Sequence, residues 1–221
     1  MILCGGLIML GDMKVRPAAA RAQSLNTLRQ IGLALNAYHE LHGRFPAAAS
    51  RDKNGQPLLS WRVALLPFLE ADDLYREIRQ DEKWDSPHNS RLLNRMPGVF
   101  RSPRNRPDDP GATYYQVFTG DGAVFEDPTG LTLDEIRNGR GLENTLLVVE
   151  AADPVPWTQP IDLVNASGQP LPRLGGRFHG ESGLGGVYYL CALFADGSAR
   201  YFTEEDEETI RGLISWKGKG W

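Results

Sequence analysis

The residues best suited to chemistry are His39 and His42, with Glu40 beside the first. A zinc hydrolase sets two histidines at i and i+4 on one helical face, with a glutamate after the first to activate water. Here the spacing is i and i+3, Gly43 follows at once, and no third ligand stands out. Histidines in a last helical turn are already favoured by the helix dipole. A hydrolase built on His39, Glu40 and His42 is therefore the third-ranked reading. Ser60, Ser86 and Ser182 lack the flanking glycines of a nucleophile elbow. The glycine-rich stretch 180–186 has no Lys-Ser/Thr ending and precedes a strand signal, so it is not expected to cradle phosphate. Asp121, Glu126, Asp127 and Glu150 offer oxygen ligands on irregular segments, which calcium accepts, but without EF-hand spacing. Calcium is the one cofactor these residues admit. No catalytic constellation emerges, and the chain is expected not to be an enzyme.

Of the two cysteines, Cys191 lies in the apolar run Tyr188-Tyr189-Leu190-Cys191-Ala192-Leu193-Phe194, where a buried thiol is expected. Nothing in the spacing argues for a Cys4–Cys191 disulfide, and the pair does not decide the redox compartment. The formal net charge of -4 gives no footprint for nucleic acid. Arg91, Arg95, Arg101, Arg104 and Arg106 cluster, but Asp108 and Asp109 follow directly, so the cluster reads as solvated surface.

The elements that must position these residues begin with an amphipathic helix over about 20–42. Leu25, Leu28, Ile31, Leu35, Tyr38 and Leu41 recur at three- and four-residue steps and form one stripe. Gly43 closes the helix in a left-handed turn, and Pro46 holds Phe45 extended. Asp52-Lys53-Asn54-Gly55-Gln56 is a turn signal, and Ser60 offers an N-cap to a helical piece over 61–66. The pattern predicts a second amphipathic helix over 68–80 and a short one from Ser86 to Arg95. Strands are predicted over 113–118, 145–150, 187–195 and 198–202, the last two joined by an Asp196-Gly197 hairpin turn. A short helix is expected over 133–138, and Thr203 caps a terminal helix with acids in its first turn. Helices first and strands later imply α+β with an antiparallel sheet. Residues 1–10 are apolar but about ten residues cannot cross a bilayer that needs roughly twenty.

Several words of the sequence, taken together, are more specific than any motif. They are Leu28-Arg29-Gln30-Ile31-Gly32-Leu33-Ala34-Leu35-Asn36-Ala37-Tyr38-His39, Gly43-Arg44-Phe45-Pro46-Ala47-Ala48, Pro57-Leu58-Leu59-Ser60-Trp61-Arg62-Val63, Leu66-Pro67-Phe68-Leu69-Glu70, Trp84-Asp85-Ser86-Pro87-His88-Asn89, Asn144-Thr145, Val155-Pro156-Trp157-Thr158 and Phe194-Ala195-Asp196-Gly197-Ser198. Across about 18–213 the chain resembles the bacterial domain-of-unknown-function family 1559, which is prepilin-processing-associated and pseudopilin-like. The resemblance implies a type IV pilin or type II secretion pseudopilin-like domain over 18–221, its N-terminal helix packed on an antiparallel sheet, after an apolar, irregular segment over 1–17. It further implies an exported, envelope-associated structural or binding protein whose partners are other pilin-like or envelope proteins.

Two departures accompany it. Family members carry a cleavable leader, a Gly-Phe-Thr-Leu-Ile-Glu-like start and a long apolar helix; only the downstream half of that helix is recognisable here. Membrane insertion and filament assembly are therefore not carried over, and the membrane half is expected to be missing or reduced to residues 1–10. The family also places a His nine residues before Asp-Gly, but position 186 is Gly and His179 has sixteen residues between it and Asp196. The rival reading is a soluble module for carbohydrate or peptide, with Trp84, Trp157, Tyr114 and Tyr115 as an aromatic surface.

Overall fold

The computed structural model describes residues 5–104, 110–125, 128–176, 189–203 and 207–218, with the side chains of the first helix described from residue 18. Helix α1 is Gly5–His42. It begins well before the expected start near residue 20 and runs through Pro17, whose missing N–H removes one bond of the ladder. It ends as expected: Gly43 takes φ 76°, and its N–H bonds the His39 carbonyl at 2.7 Å.

The central sheet has four antiparallel strands: β3 Ala112–Gln116, β5 Leu146–Pro156, β7 Leu190–Phe194 and β8 Ala199–Phe202, in the order β3-β5-β7-β8. Two small ladders flank it. One joins β1 Ala49–Arg51 to β2 Pro57–Ser60; the other is parallel and joins β4 Phe118–Gly120 to β6 Leu163–Asn165. The β1–β2 turn closes as its sequence suggests, with the Asp52 carboxylate accepting the Asn54 and Gln56 N–H groups. The remaining α-helices are short: α2 Trp61–Ala64, α3 Asp72–Glu77, α4 Leu133–Asn138 and α5 Glu207–Ile214.

Alternation along the strands supplies both faces of the sheet with apolar side chains. Cys191 and Leu193 of β7 face the core that holds Leu28, Ile31 and Leu35 of α1. Ala192 and Phe194 face a second core closed by Ile210 and Ile214 of α5. In β5, Leu147 and Val148 both join the first core, because the register shifts between Leu146 and Val148. Gly32 marks a close approach of α1 to the sheet: a Cβ there would stand 2.9 Å from Leu193 Cδ1. Helix, sheet and helix thus form three layers, an α+β architecture.

Three further expectations about the elements need correction. Leu41 leaves the buried stripe and is 70% exposed. At about 100° per residue it has rotated roughly 100° from the centre of the stripe marked by Ser24, Ile31 and Leu35. The helix expected over 68–80 is reduced to a 3₁₀ turn at Leu66–Phe68 and to α3, because Glu70 between them adopts φ 55°, outside helical geometry. The strand expected over 113–118 breaks at Val117, whose N–H is taken by the Asp162 carboxylate at 3.0 Å instead of by a ladder partner. By contrast, α4 occupies its expected span with a Thr132–Glu135 capping box, and Asp196-Gly197 turns β7 into β8. Cys4, Arg106, Glu126, Asp127, His179, Ser182 and the stretch 180–186 lie outside the described residues.

Candidate functional site

A cleft of about 520 Å³ lies at the C-terminal end of α1. Two of the resemblance words meet there: Phe45 and Pro46 come from the chain leaving α1, and Ser60 and Trp61 from the start of α2. Tyr38 and His42 form an aromatic wall, their ring centroids 4.2 Å apart; Tyr75 of α3 also lines the cleft. Arg44 is tied across the mouth through Nη1, which donates to Thr129 Oγ1 at 2.8 Å and to the Gly130 carbonyl at 3.4 Å. Arg51 Nη1 holds the β1–β2 turn at the Gly55 carbonyl.

Behind the cleft lies a buried ion pair. Arg62, wholly buried, meets Asp162 Oδ1 at 2.7 Å. Its guanidinium also donates twice to the Tyr115 carbonyl and once to Ser60 Oγ. Asp162 Oδ1 further accepts from Trp61 Nε1 at 3.2 Å. Burial pushes the Asp162 carboxyl up and the Arg62 guanidinium down, each opposed by the charge of the other. The pair pins α2, β3 and the segment before β6 together, which is structural work. A lone arginine between Trp61 and Val63 in an apolar stretch is the sequence signal that would have indicated it.

A second polar cluster lies between α1 and the sheet. Glu150, in the middle of β5, is fully buried, and its Oε1 accepts from Ser102 Oγ at 2.6 Å. Burial raises its pKa against the opposing effects of Ser102, Ser24, Arg104 and Cys191. Tyr115 OH and Ser24 Oγ lie 3.1 Å apart, and burial likewise raises Tyr115 and pushes the Cys191 thiol up to about 12. Cys191 is therefore a buried free thiol and an inert one. Arg104, expected at the surface, is instead buried: it donates to the Ala151 and Ala152 carbonyls and lies over Tyr114 at 4.3 Å. Arg91, Arg95 and Arg101 are exposed.

The histidine pair does not build a zinc site. His39 Nε2 accepts the Leu133 N–H at 3.0 Å, so the ring serves the first turn of α4. Burial lowers its pKa against the pull of Asp134 and Glu40. Among the described residues no group of three or more His, Cys, Asp or Glu is placed to hold a metal ion. Of the carboxylates weighed for calcium, Asp121 accepts the Ser167 N–H on an exposed turn whereas Glu150 is buried in β5.

The four aromatic residues considered as a ligand surface do not form one. Trp157 and Tyr115 are completely buried, Trp157 with its indole N–H on the Leu93 carbonyl, while Trp84 and Tyr114 are half-buried. The other resemblance positions hold the backbone in place. Asn89 binds Arg79 N–H and the carbonyls of Arg79, Glu82 and Lys83. His88 Nε2 meets the Glu77 carbonyl, and Asp85 is exposed beside it. Asn144 and Thr145 donate to the Arg140 and Gly141 carbonyls before β5. Asp196 Oδ1 accepts from the Ser198 N–H and hydroxyl, shaping the turn that Gly197 completes at φ 83°.

No helix among the described residues is long and apolar enough to cross a membrane. No curated protein and no solved structure matches the chain. A family model does match, over residues 13–182 and so over most of the length: the chain belongs to the family SBP_bac_10, described as "Protein of unknown function (DUF1559)".

Proposed function

We propose that the chain is a non-enzymatic structural or binding component of the bacterial cell envelope, pseudopilin-like in architecture. The observation that carries this reading is the 38-residue helix α1, laid by its second half against one face of a four-stranded antiparallel sheet. At about 1.5 Å per residue such a helix is roughly 57 Å long. The buried stripe, from Ser24 to Leu35, takes up only part of that length. A helix that outruns the sheet it packs on and leaves Leu33 exposed on its outer face suits a protein that meets other envelope components through α1. The polar groups support a role without catalysis: His39, Ser60, Asn89 and Thr145 are each committed to a backbone or capping bond.

The test is fractionation of the protein in the bacterium that encodes it, followed by photocrosslinking from an unnatural residue at the exposed Leu33 of α1. Recovery with the envelope and crosslinks to envelope proteins are the expected outcome. Full recovery in the cytosol as a monomer would sink the reading.

A further inference from the structure

We propose that the Glu150 proton operates a latch on α1: the helix lies on the sheet at Ser24 while the carboxyl is neutral and swings clear when it ionises. Glu150 is wholly buried in β5, and its Oε2 has no hydrogen-bond partner among the described residues. Ser24 of α1 and Cys191 of β7 face this carboxyl, as do Ser102 and Arg104 from the segment before β3. Tyr115 of β3 completes the cluster, its hydroxyl 3.1 Å from Ser24 Oγ. Arg104, the cation facing the carboxyl, spends Nη1 and Nη2 on the Ala151 and Ala152 carbonyls. A neutral carboxyl can stay in such a place. An anion with one bare oxygen needs water.

Moving α1 is the shortest way to let water in. Before Ser24 the described residues of α1 include no buried side chain, so Ser24 marks the edge of the contact. Outside that edge the helix is fastened by Arg21, whose guanidinium stands over the rings of Tyr189 and Tyr201 at 4.7 and 4.3 Å. Such a cation–aromatic contact is modest and reversible. Farther along, α1 is held by the full burial of Ile31 and Leu35 and by the close approach of Gly32 to Leu193. The pivot therefore falls between Leu28 and Ile31, and opening frees about two turns of helix. Burial raises the Glu150 pKa in the closed state, whereas a hydrated carboxyl returns toward 4.5. Opening is then favoured as pH rises between those two values. Tyr115 and Cys191 do not compete, because burial raises both, the thiol to about 12. The latch sets how much of α1 stands free, whether the helix meets an envelope partner or none.

Cys191 reports the opening, because its free thiol is buried in the same cluster. In a Cys4→Ser background, labelling by dithiodipyridine is followed from about pH 5 to 8, each rate divided by that of a small thiol. The corrected rate should rise about tenfold or more with pH in the parent and stay within about twofold in Glu150→Gln. Arg21→Ala should label about threefold faster at the acid end and keep the rise. Low urea should barely change these rates, the mark of a local opening. Four outcomes would each overturn the latch: a flat parent profile, an equal rise in folded Glu150→Gln, a urea dependence as steep as global unfolding, or unchanged labelling of Arg21→Ala. Should Glu150→Gln fail to fold, the parent profile, its urea dependence and Arg21→Ala decide without it.

Discussion

At His39 the imidazole accepts a backbone N–H, so only the neutral ring can do the work. Burial lowers its pKa from the ordinary 6.5. Between that lowered value and 6.5 the unfolded chain binds more protons than the folded one, so stability falls as pH drops through this window. Urea midpoints for the parent and His39→Gln, compared from about pH 7.5 to 5.5, should show a smaller loss on acidification in the variant; an unchanged slope would count against the capping role. Glu150 acts with the opposite sign. Its pKa is raised by burial from the ordinary 4.5, so the folded state holds the proton longer and stability declines as pH rises from 4.5 through the folded value. Glu150→Gln should remove that decline and gain most on the alkaline side of the window, a difference readable in the same urea series. The Arg62–Asp162 pair predicts a larger effect. Asp162→Ala leaves a buried guanidinium uncompensated and should cost about 3–5 kcal/mol, whereas replacing both partners by apolar residues of similar volume should cost far less. Equal losses in the single and double variants would show that the pair is not the cause.

Helix α1 illustrates how much of an element can be read from residue spacing. The stripe through Leu28, Ile31 and Leu35, each fully buried, and the Gly43 stop follow from periodicity and backbone preference alone. Leu35→Ala should cost about 2–5 kcal/mol by denaturant unfolding. The extent of α1 and the fates of Leu41 and the 68–80 segment were less legible. A six-residue apolar set admits several rotations about the axis, and only packing on β7 selects one. Glu70 gives no sequence warning that it will leave helical geometry. The break at Val117 was hidden for a different reason: its N–H partner, Asp162, is forty-five residues away. Gly32 carries a feature the stripe does not express, the close approach to Leu193. Gly32→Val should lift the helix off β7 and cost about 1–3 kcal/mol despite valine being the better helix former. A variant as stable as the parent would mean that Leu193 simply swings aside.

For the whole molecule, the three layers put apolar groups inside and, among the described side chains of α1, leave two leucines outside. Leu33, 70% exposed, lies about 180° around the helix from the centre of the buried stripe, and Leu41 is equally exposed. The candidate cleft was only half legible. Arg44, Phe45, Pro46, Ser60 and Trp61 stood out within words of the sequence, but the two words meet, and Arg51 joins them, only after the β1–β2 turn folds back. The fold and its assembly can be separated by one double variant. Leu33→Gln with Leu41→Lys removes no core contact, adds good helix formers on a solvated face and puts a cation in the last turn of α1, so folding stability should change by no more than about 0.5 kcal/mol. In an envelope component that meets its neighbours through the outer face of α1, the same variant should lose its crosslinks from that face while keeping its melting curve. Retained crosslinks in a folded variant would move the contact surface elsewhere on the protein. A collapsed melting curve would place the two leucines in the fold itself, against their exposure.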